Sequence, residues 1–104
     1  MAKSLPAASL HVVLALLGGE QHGYALMQEV EELSDGSVKM GPGTLYGTLN
    51  RLVEEGLIEE TRQDDRRRYY QLTAEGQRVA SAELARLKTL VKRVQARGFR
   101  LGTA

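Results

Sequence analysis

The sequence predicts a mainly α fold with a small β-hairpin, namely a winged helix-turn-helix domain followed by one long dimerisation helix. Three observations lead to this fold class. Three short segments with helical spacing of apolar residues come first, two β-prone segments around an acidic turn follow, and a long segment with a heptad-like pattern comes last. This order predicts a winged helix-turn-helix domain over residues 1–75 and a dimerisation helix with its tail over 76–104.

The first predicted helix spans residues 5–17, with Ser4 as a candidate cap and Pro6 in the first turn, where proline is tolerated. Its apolar residues recur at helical spacing and predict one core-facing stripe, formed by Leu10, Val13, Leu14 and Leu17 and widened by Val12 and Leu16. Gly18 and Gly19 end the pattern.

Two further short helices are predicted over 22–33 and 42–55. The second helix has a core face of Leu26, Val30 and Leu33. The third has the i, i+4, i+7, i+8 pattern of a half-buried helix, formed by Leu45, Leu49, Leu52 and Val53. Gly56 is predicted as its left-handed C-terminal stop. The intervening segment "SDGSVKMGPG" is longer than the tight turn of a standard helix-turn-helix.

The hairpin is predicted from two strands, 57–62 and 67–73, joined by residues 63–66. Thr73 is then placed to cap a last helix over about 74–97. Apolar residues recur along that helix with 4-3-4-3 spacing, which is typical of a helix that pairs with another helix. The predicted dimer interface consists of Ala80, Leu84, Leu87, Val91 and Val94.

Composition excludes several classes of function. The 104 residues include no cysteine, so disulfides, thiolate metal sites and cysteine nucleophiles are excluded. The two histidines, His11 and His22, are far apart in the chain, and no metal site, catalytic residue or cofactor is expected from them. The longest apolar run is too short to cross a membrane and lacks a signal-peptide pattern, so we expect a cytoplasmic protein without membrane contact.

Charge is distributed unevenly along a chain whose net charge is only +1. Residues 1–75 contain 7 basic and 12 acidic side chains, whereas residues 76–104 contain 7 basic and 1 acidic. A nucleic-acid-binding domain is usually basic as a whole. Any anionic partner must therefore be bound by local positive patches.

The outward face of the third helix carries little charge and an unusual pair of glycines. With the leucines turned inward, the side facing solvent is predicted to contain Gly43, Gly47, Asn50, Arg51 and Glu54, flanked by Tyr46 on one side and by Thr44 and Thr48 on the other. Glycine inside a helix costs about 1 kcal/mol relative to alanine. Close approach to a bulky partner is one reason for such glycines. The alternative, a place in the N-terminal turn that needs no further explanation, fits Gly43 better than it fits Gly47.

The polar residues around this helix have the chemistry for DNA. Its start offers free N–H groups to a phosphate, beside the hydroxyl of Thr44, the charge of Lys39 and the phenol of Tyr46. Asn50 and Arg51 can pair bidentately with adenine and guanine edges. The alternatives are that Tyr46 is a partly buried aromatic residue and that Arg51 is a surface cation paired with Glu54 or Glu55.

The hairpin turn carries three consecutive arginines, Arg66, Arg67 and Arg68, beside two aspartates. A solvated charge run is one reading. The other is contact with the sugar-phosphate backbone, because the hairpin of this fold flanks the recognition helix. The sequence favours neither reading over the other.

Three segments, "HGYALMQEV", "GPGTLYGTLNRLVEEGLIE" and "RRRYYQLTAEG", resemble in order and spacing the signature segments of PadR-family transcriptional regulators, over about residues 8–78. The short last helix resembles that of the compact subgroup, in which a single C-terminal helix forms the dimer. The resemblance implies a cytoplasmic homodimer, usually a repressor, bound to double-stranded DNA at a palindromic operator. It implies DNA contacts from Thr44, Tyr46 and Arg51, from Tyr24, and from the arginines of the hairpin.

Some members of the family bind flat aromatic molecules between the two final helices, using a tryptophan. This chain has no tryptophan. The resemblance therefore leaves room for a small-molecule effector but assigns none. The competing hypothesis is a winged-helix protein-interaction module that does not bind DNA. The near-neutral charge favours this hypothesis slightly. A small enzyme is a third and remote hypothesis.

Overall fold

A computed structural model describes residues 5–100 of the chain. The elements follow in the order α1 (Ala7–Ala15), a 3-10 turn (Leu16–Gly18), β1 (Gln21–His22), α2 (Gly23–Leu33), α3 (Pro42–Glu54), β2 (Ile58–Asp64), β3 (Arg67–Leu72) and α4 (Ala74–Ala96). Three short helices, a two-stranded ribbon and a long helix confirm the mainly α, winged-helix fold class. The candidate cap Ser4 lies outside the described residues.

Helix α1 is shorter than predicted, and its buried side is different. Pro6 is the N-cap, and the chain tightens into the 3-10 turn after Ala15. The buried apolar residues are Val12, Val13, Ala15 and Leu16, whereas the other three members of the predicted stripe are only half-buried. The stripe is shifted because α1 packs against α2, α3 and α4 rather than against one neighbour.

The core faces of α2 and α3 were predicted correctly except at Leu33, Val53 and Thr48. Leu33 is 52% exposed, since it ends α2 just where the chain leaves the core. In α3 the predicted Val53 is exposed and Thr48, predicted on an outward flank, is buried. Thr48 completes a narrow i, i+3, i+4, i+7 stripe of α3 that faces the core, formed by Leu45, Thr48, Leu49 and Leu52.

Helix α3 ends as predicted at Gly56, whose φ of 76° is left-handed. Two backbone hydrogen bonds close the end, from Gly56 N–H to the Val53 carbonyl and from Leu57 N–H to the Leu52 carbonyl, each 3.0 Å. This is the Schellman pattern. It turns the chain so that Leu57 and Ile58 enter the core directly after the helix.

The ribbon belongs to a three-stranded antiparallel sheet with the order β1-β3-β2. Strand β2 ends two residues later than predicted, at Asp64, whereas β3 ends one residue earlier than predicted, at Leu72. Asp64 pairs with Arg67, so that only Asp65 and Arg66 form the turn. Both have positive φ, 47° and 70°, the geometry that matches the twist of a two-residue hairpin. The third strand, β1, was not predicted, because its two residues are too short for a periodic pattern.

The beginning of α4 belongs to the core of the winged-helix unit. Thr73 caps α4 as predicted, accepting a hydrogen bond from Gly76 N–H at 3.0 Å. A Cβ at Gly76 would lie 1.8 Å from the Leu57 carbonyl oxygen, so the helix lies directly on the backbone there. Ala80 is fully buried by its own chain, which removes it from the predicted dimer interface. The predicted domain boundary near residue 75 stays a prediction.

Beyond Ala80 the same face of α4 emerges from the core. Leu87 is half-buried, and the other apolar residues on this part of the helix are 39 to 52% exposed: Leu84, Leu90, Val91 and Val94. The apolar spacing is continuous along α4, but only its first part is covered by the protomer. The second half of α4 is therefore an unpartnered apolar surface.

Candidate nucleic-acid interface

The burial of the leucine stripe fixes which side of α3 faces outward. Thr44, Tyr46, Asn50 and Arg51 are all exposed. Gly47 lies among them, and a Cβ built there would have no atom within 4 Å. Nothing inside the described protomer therefore requires glycine at this position, although glycine weakens the helix.

The start of α3 leaves hydrogen-bond donors open. The N-cap Gly41 supplies no capping side chain, and Pro42 has no N–H. The first backbone bond of the helix is Leu45 N–H to the Gly41 carbonyl at 2.9 Å, which leaves the N–H groups of Gly43 and Thr44 without a helical acceptor. Open N–H groups at the positive end of a helix dipole can bind an anion.

Lys39 lies just before this helix start. Its Nζ is 3.8 Å from the Glu31 carboxylate, and its side chain is 73% exposed. A surface pair of this length contributes little energy and is screened by salt. Lys39 is therefore available to a stronger anion such as a phosphate.

Arg51 and Asn50 have no competing partners within residues 5–100. Arg51 makes no ion pair there, so the alternative in which Glu54 or Glu55 neutralises it is not observed. The Asn50 amide likewise makes no side-chain hydrogen bond in that range. Both groups can therefore bind an external partner without first breaking an internal contact.

The start of α2 reaches the same side of α3. Tyr46 is 39% exposed, and its hydroxyl end lies against Gly23, the first residue of α2. Tyr24 follows in the chain and is 62% exposed. The predicted contacts of Tyr24 and Tyr46 therefore come from the junction of α2 and α3. His22 caps α2, with its Nδ1 accepting a hydrogen bond from Ala25 N–H at 3.3 Å.

The three arginines of the hairpin have different surroundings. Arg66 is in the turn and Arg67 begins β3; both are exposed, and neither makes an ion pair with the described residues. Arg68 is 3.5 Å from the Glu60 carboxylate on the opposing strand. Burial raises the pKa of the Tyr70 hydroxyl, although Arg68 acts in the opposite direction. Arg66 and Arg67 are the available cations, whereas Arg68 is partly neutralised.

The base of the ribbon contains a cluster that the sequence did not indicate. Glu20 accepts hydrogen bonds from the Thr61 hydroxyl and from Arg62 Nε, and the Arg62 guanidinium lies 3.8 Å above the centre of the Tyr69 ring. These bonds, first that of Thr61 and then that of Arg62, hold the pKa of Glu20 below its usual value. The register shift at Thr61 aligns this side chain with the loop before β1, and no local pattern encodes such a shift.

Other kinds of site find no support in the described part of the chain. Residues 5–100 contain no group of three histidine or acidic side chains close enough to hold a metal ion. None of the helices in that range is long and apolar enough to span a bilayer.

Comparison with known proteins agrees with the motifs. Residues 13–82 match the family described as "Transcriptional regulator PadR-like family". Over 91 residues the chain is 36% identical to the transcriptional regulator Rv3488 of Mycobacterium tuberculosis, covering 85% of this chain and 82% of that protein. It is 29% identical to the transcriptional regulator YqjI of Escherichia coli, covering 83% of this chain and 42% of that protein. A 37.1 kDa protein of transposon TN4556 from Streptomyces fradiae is 34% identical, and the chain spans only 25% of its length.

Solved structures share the fold. RosR of H. salinarum superposes with a TM-score of 0.71 at 27% identity, covering 92% of this chain and 98% of that one. A PadR family transcription regulator from Clostridium difficile superposes with a TM-score of 0.73 at 23% identity, covering 88% and 97%. Motifs, fold and the match over most of the chain agree, and the protein belongs to the PadR-like family of transcriptional regulators.

Proposed function

We propose that the protein is a sequence-specific DNA-binding regulator that represses transcription as a homodimer on a palindromic operator. The observation that carries the proposal is the outward face of α3, where Asn50 and Arg51 have no side-chain partners among residues 5–100 and Gly47 leaves room for close approach. In the proposed complex, Tyr46, Asn50 and Arg51 contact base edges in the major groove. Repression follows because the bound dimer occludes a promoter.

Phosphate contacts are assigned to the groups around that face. They are the start of α3 with Thr44, the Lys39 ammonium, Tyr24 at the start of α2, and the arginines of the hairpin, Arg66, Arg67 and Arg68. Arg66 and Arg67 contribute most, since Arg68 must first exchange its Glu60 contact. The winged-helix unit is acidic elsewhere, so binding depends on these local groups and disfavours DNA in other orientations.

The dimer interface is assigned to the unpartnered half of α4. The apolar residues of this half follow a 3-4-3 spacing, which is identical from either end of the helix: Leu84, Leu87, Val91 and Val94. In an antiparallel pair, Leu84 therefore faces the partner's Val94, and Leu87 faces the partner's Val91. Every charged residue of 84–100 is basic, so a parallel pair would place two cationic segments side by side, whereas an antiparallel pair separates their ends.

This orientation has a consequence for the operator. The pair is centred near Thr89, and Gly76 lies about 20 Å away along the axis at 1.5 Å per residue. The two winged-helix units then attach roughly 40 Å apart, which is close to the 34–36 Å between half-sites one helical turn apart. An antiparallel α4 pair thus fits a palindrome with half-sites on one side of the duplex.

The remaining assignments rest on the family. A cytoplasmic location is proposed together with DNA binding. A small-molecule effector is compatible with the family but has no assigned residue here. Because the chain spans only 25% and 42% of two of its relatives, the regulated process is not transferred from them.

DNA binding is tested by the salt dependence of affinity for duplexes selected from a random pool. Replacing Arg66 and Arg67 by alanine should lower the slope of log K against log[salt] by about one unit per lost phosphate contact. Arg78→Ala is the matched control, because Arg78 pairs with Glu75 on α4. If the wild-type protein binds no duplex at low salt, DNA binding is refuted and the protein-interaction module takes its place.

The α4 pairing is tested by disulfide trapping. Because the chain has no native cysteine, only the introduced cysteines can cross-link. Leu84→Cys and Val94→Cys proteins should cross-link when mixed but not separately, since like positions lie about 15 Å apart along an antiparallel pair. Cross-linking of each variant with itself would indicate a parallel pair. A Leu87→Asp, Val91→Asp double variant should sediment as a monomer, and a persistent dimer would show that the interface lies elsewhere.

A further inference from the structure

We infer that Gly23 is a positioning residue for DNA recognition. Because glycine has no side chain, it leaves a space at the junction of α2 and α3 that the end of the Tyr46 phenol occupies, and we call this space the seat of Tyr46. The inference rests on the proposed DNA-binding function. It assigns a role to a residue that makes no contact with DNA itself.

The close approach of Tyr46 is what requires glycine at this position. Gly23 is buried and has ordinary helical backbone rather than a left-handed conformation. A Cβ built on Gly23 would lie 2.7 Å from Tyr46 Oη, 3.1 Å from Tyr46 Cζ and 3.3 Å from Leu45 Cδ2. Any larger residue must therefore push the end of the Tyr46 ring away from α2.

The seat restricts a side chain that would otherwise move freely. Tyr46 lies on the outward side of α3, one turn before Asn50, and part of its ring is covered by the start of α2. Fixing a side chain before binding avoids the entropic cost of ordering it in the complex. The contact thus presents the Tyr46 hydroxyl in one orientation at the start of α2.

The seat is itself fixed by the sheet. His22 precedes Gly23, caps α2 through Ala25 N–H, and pairs with Tyr69 of β3. The His22 and Tyr69 rings also pack edge to face, with centroids 5.4 Å apart. The position of Gly23 is therefore tied to the strand that carries Arg67 and Arg68, so that one junction sets the recognition helix and the hairpin relative to each other.

Gly76 differs from Gly23 in that only the packing of the fold requires glycine there. There the added Cβ would overlap a backbone carbonyl, which cannot move without displacing α4. At Gly23 the nearest atoms belong to the far end of a side chain that can swing toward solvent. Alanine at position 23 is therefore expected to change the orientation of Tyr46 with little loss of stability.

The test compares Gly23→Ala in two backgrounds, wild type and Tyr46→Ala. In the wild-type background, Gly23→Ala should weaken binding to the selected operator about tenfold, the scale of one lost base contact, while the midpoint of thermal unfolding changes little. In the Tyr46→Ala background the same substitution should have no effect on binding, because the seat is empty. Gly18→Ala is the matched control, since a Cβ there meets no atom within 4 Å.

A second readout does not depend on DNA. Aromatic NMR spectra of Gly23→Ala should show changed chemical shifts and faster ring motion for Tyr46, and Gly18→Ala should show neither. The inference is overturned if the Tyr46 resonances are unchanged, or if Gly23→Ala weakens binding equally in both backgrounds. A wild-type protein that binds no duplex refutes the proposed function instead, and the NMR result then decides separately whether the seat exists.

Discussion

Replacing Gly47 by alanine should make the protein more stable and its DNA binding weaker. Gly47 lies in the middle of α3, its backbone is helical, and an added Cβ meets no atom within 4 Å. The substitution therefore costs no packing energy and gains the full helix propensity of alanine, about 0.8–1.0 kcal/mol. For a domain of this size, we expect the midpoint of thermal unfolding to rise by about 4–8 °C.

The effect on binding should have the opposite sign. The methyl group projects from the face that carries Asn50 and Arg51, where the proposed complex brings base edges close to the backbone. Shifting α3 outward to relieve the contact weakens the bidentate pairs on this face, each of which discriminates between bases by about 1–3 kcal/mol. Affinity for the selected operator should fall at least tenfold, whereas salt-sensitive binding to random duplex should change much less.

The measurements are thermal unfolding and titration of labelled operator and random duplexes at two salt concentrations. Gly43→Ala is the matched control, since it lies one turn earlier on the same helix and is equally unobstructed. It should give a smaller gain in stability, because it replaces a residue of the first turn. A Gly47→Ala protein that is more stable and binds the operator with wild-type affinity would refute close approach as the reason for this glycine.

Three further predictions concern the hairpin and its surroundings. Gly76→Ala should destabilise the fold by about 1–3 kcal/mol or more in urea unfolding, because its Cβ would overlap the Leu57 carbonyl; wild-type stability would show that α4 can shift freely. Arg66→Gly should stabilise the turn by about 1 kcal/mol by relieving a positive φ, yet lower the salt slope of DNA binding by about one unit; an unchanged slope would leave Arg66 without a phosphate contact. The lowered pKa of Glu20 means that its hydrogen bonds stabilise the ribbon above the usual Glu pKa of about 4.3, and that this contribution is lost as the pH falls through the lower folded value. Amide protection factors in the ribbon, which correct the exchange rates for their intrinsic pH dependence, should therefore fall in acid for the wild type, and Glu20→Gln should remove that dependence; equal pH profiles would contradict it.

Structural features that depend on a few neighbouring residues were predicted correctly from the sequence, whereas features at the edge of a helix face were not. Gly56 was correctly identified as the end of α3 because a left-handed stop requires glycine and little else. The three leucines of α3 were correctly placed inside because their spacing alone defines a face. Thr48 and Val53 were exchanged, since both lie at the edge of that face and their burial depends on neighbouring elements.

Several features of the site could not be predicted from any short stretch of the sequence. Strand β1 has only two residues, and it exists because β3 offers a free edge beside it. The Glu20, Thr61 and Arg62 cluster joins residues about 40 positions apart through a register shift in the ribbon. The approach of Tyr46 to Gly23 likewise depends on how α2 crosses α3, and this crossing is not encoded in either helix alone.

The sequence by itself determined the order of the helices and the hairpin, the outward chemistry of α3 and the family, because periodicity, turn residues and motifs act within a few positions of the chain. Only the tertiary structure decided that Ala80 is enclosed by its own protomer while Leu84 and Val94 are not. It also decided that Arg66 and Arg67 are unpaired among the described residues while Arg68 faces Glu60. The physical reason is that burial and ion pairing depend on which distant segments pack together, whereas propensity and spacing do not.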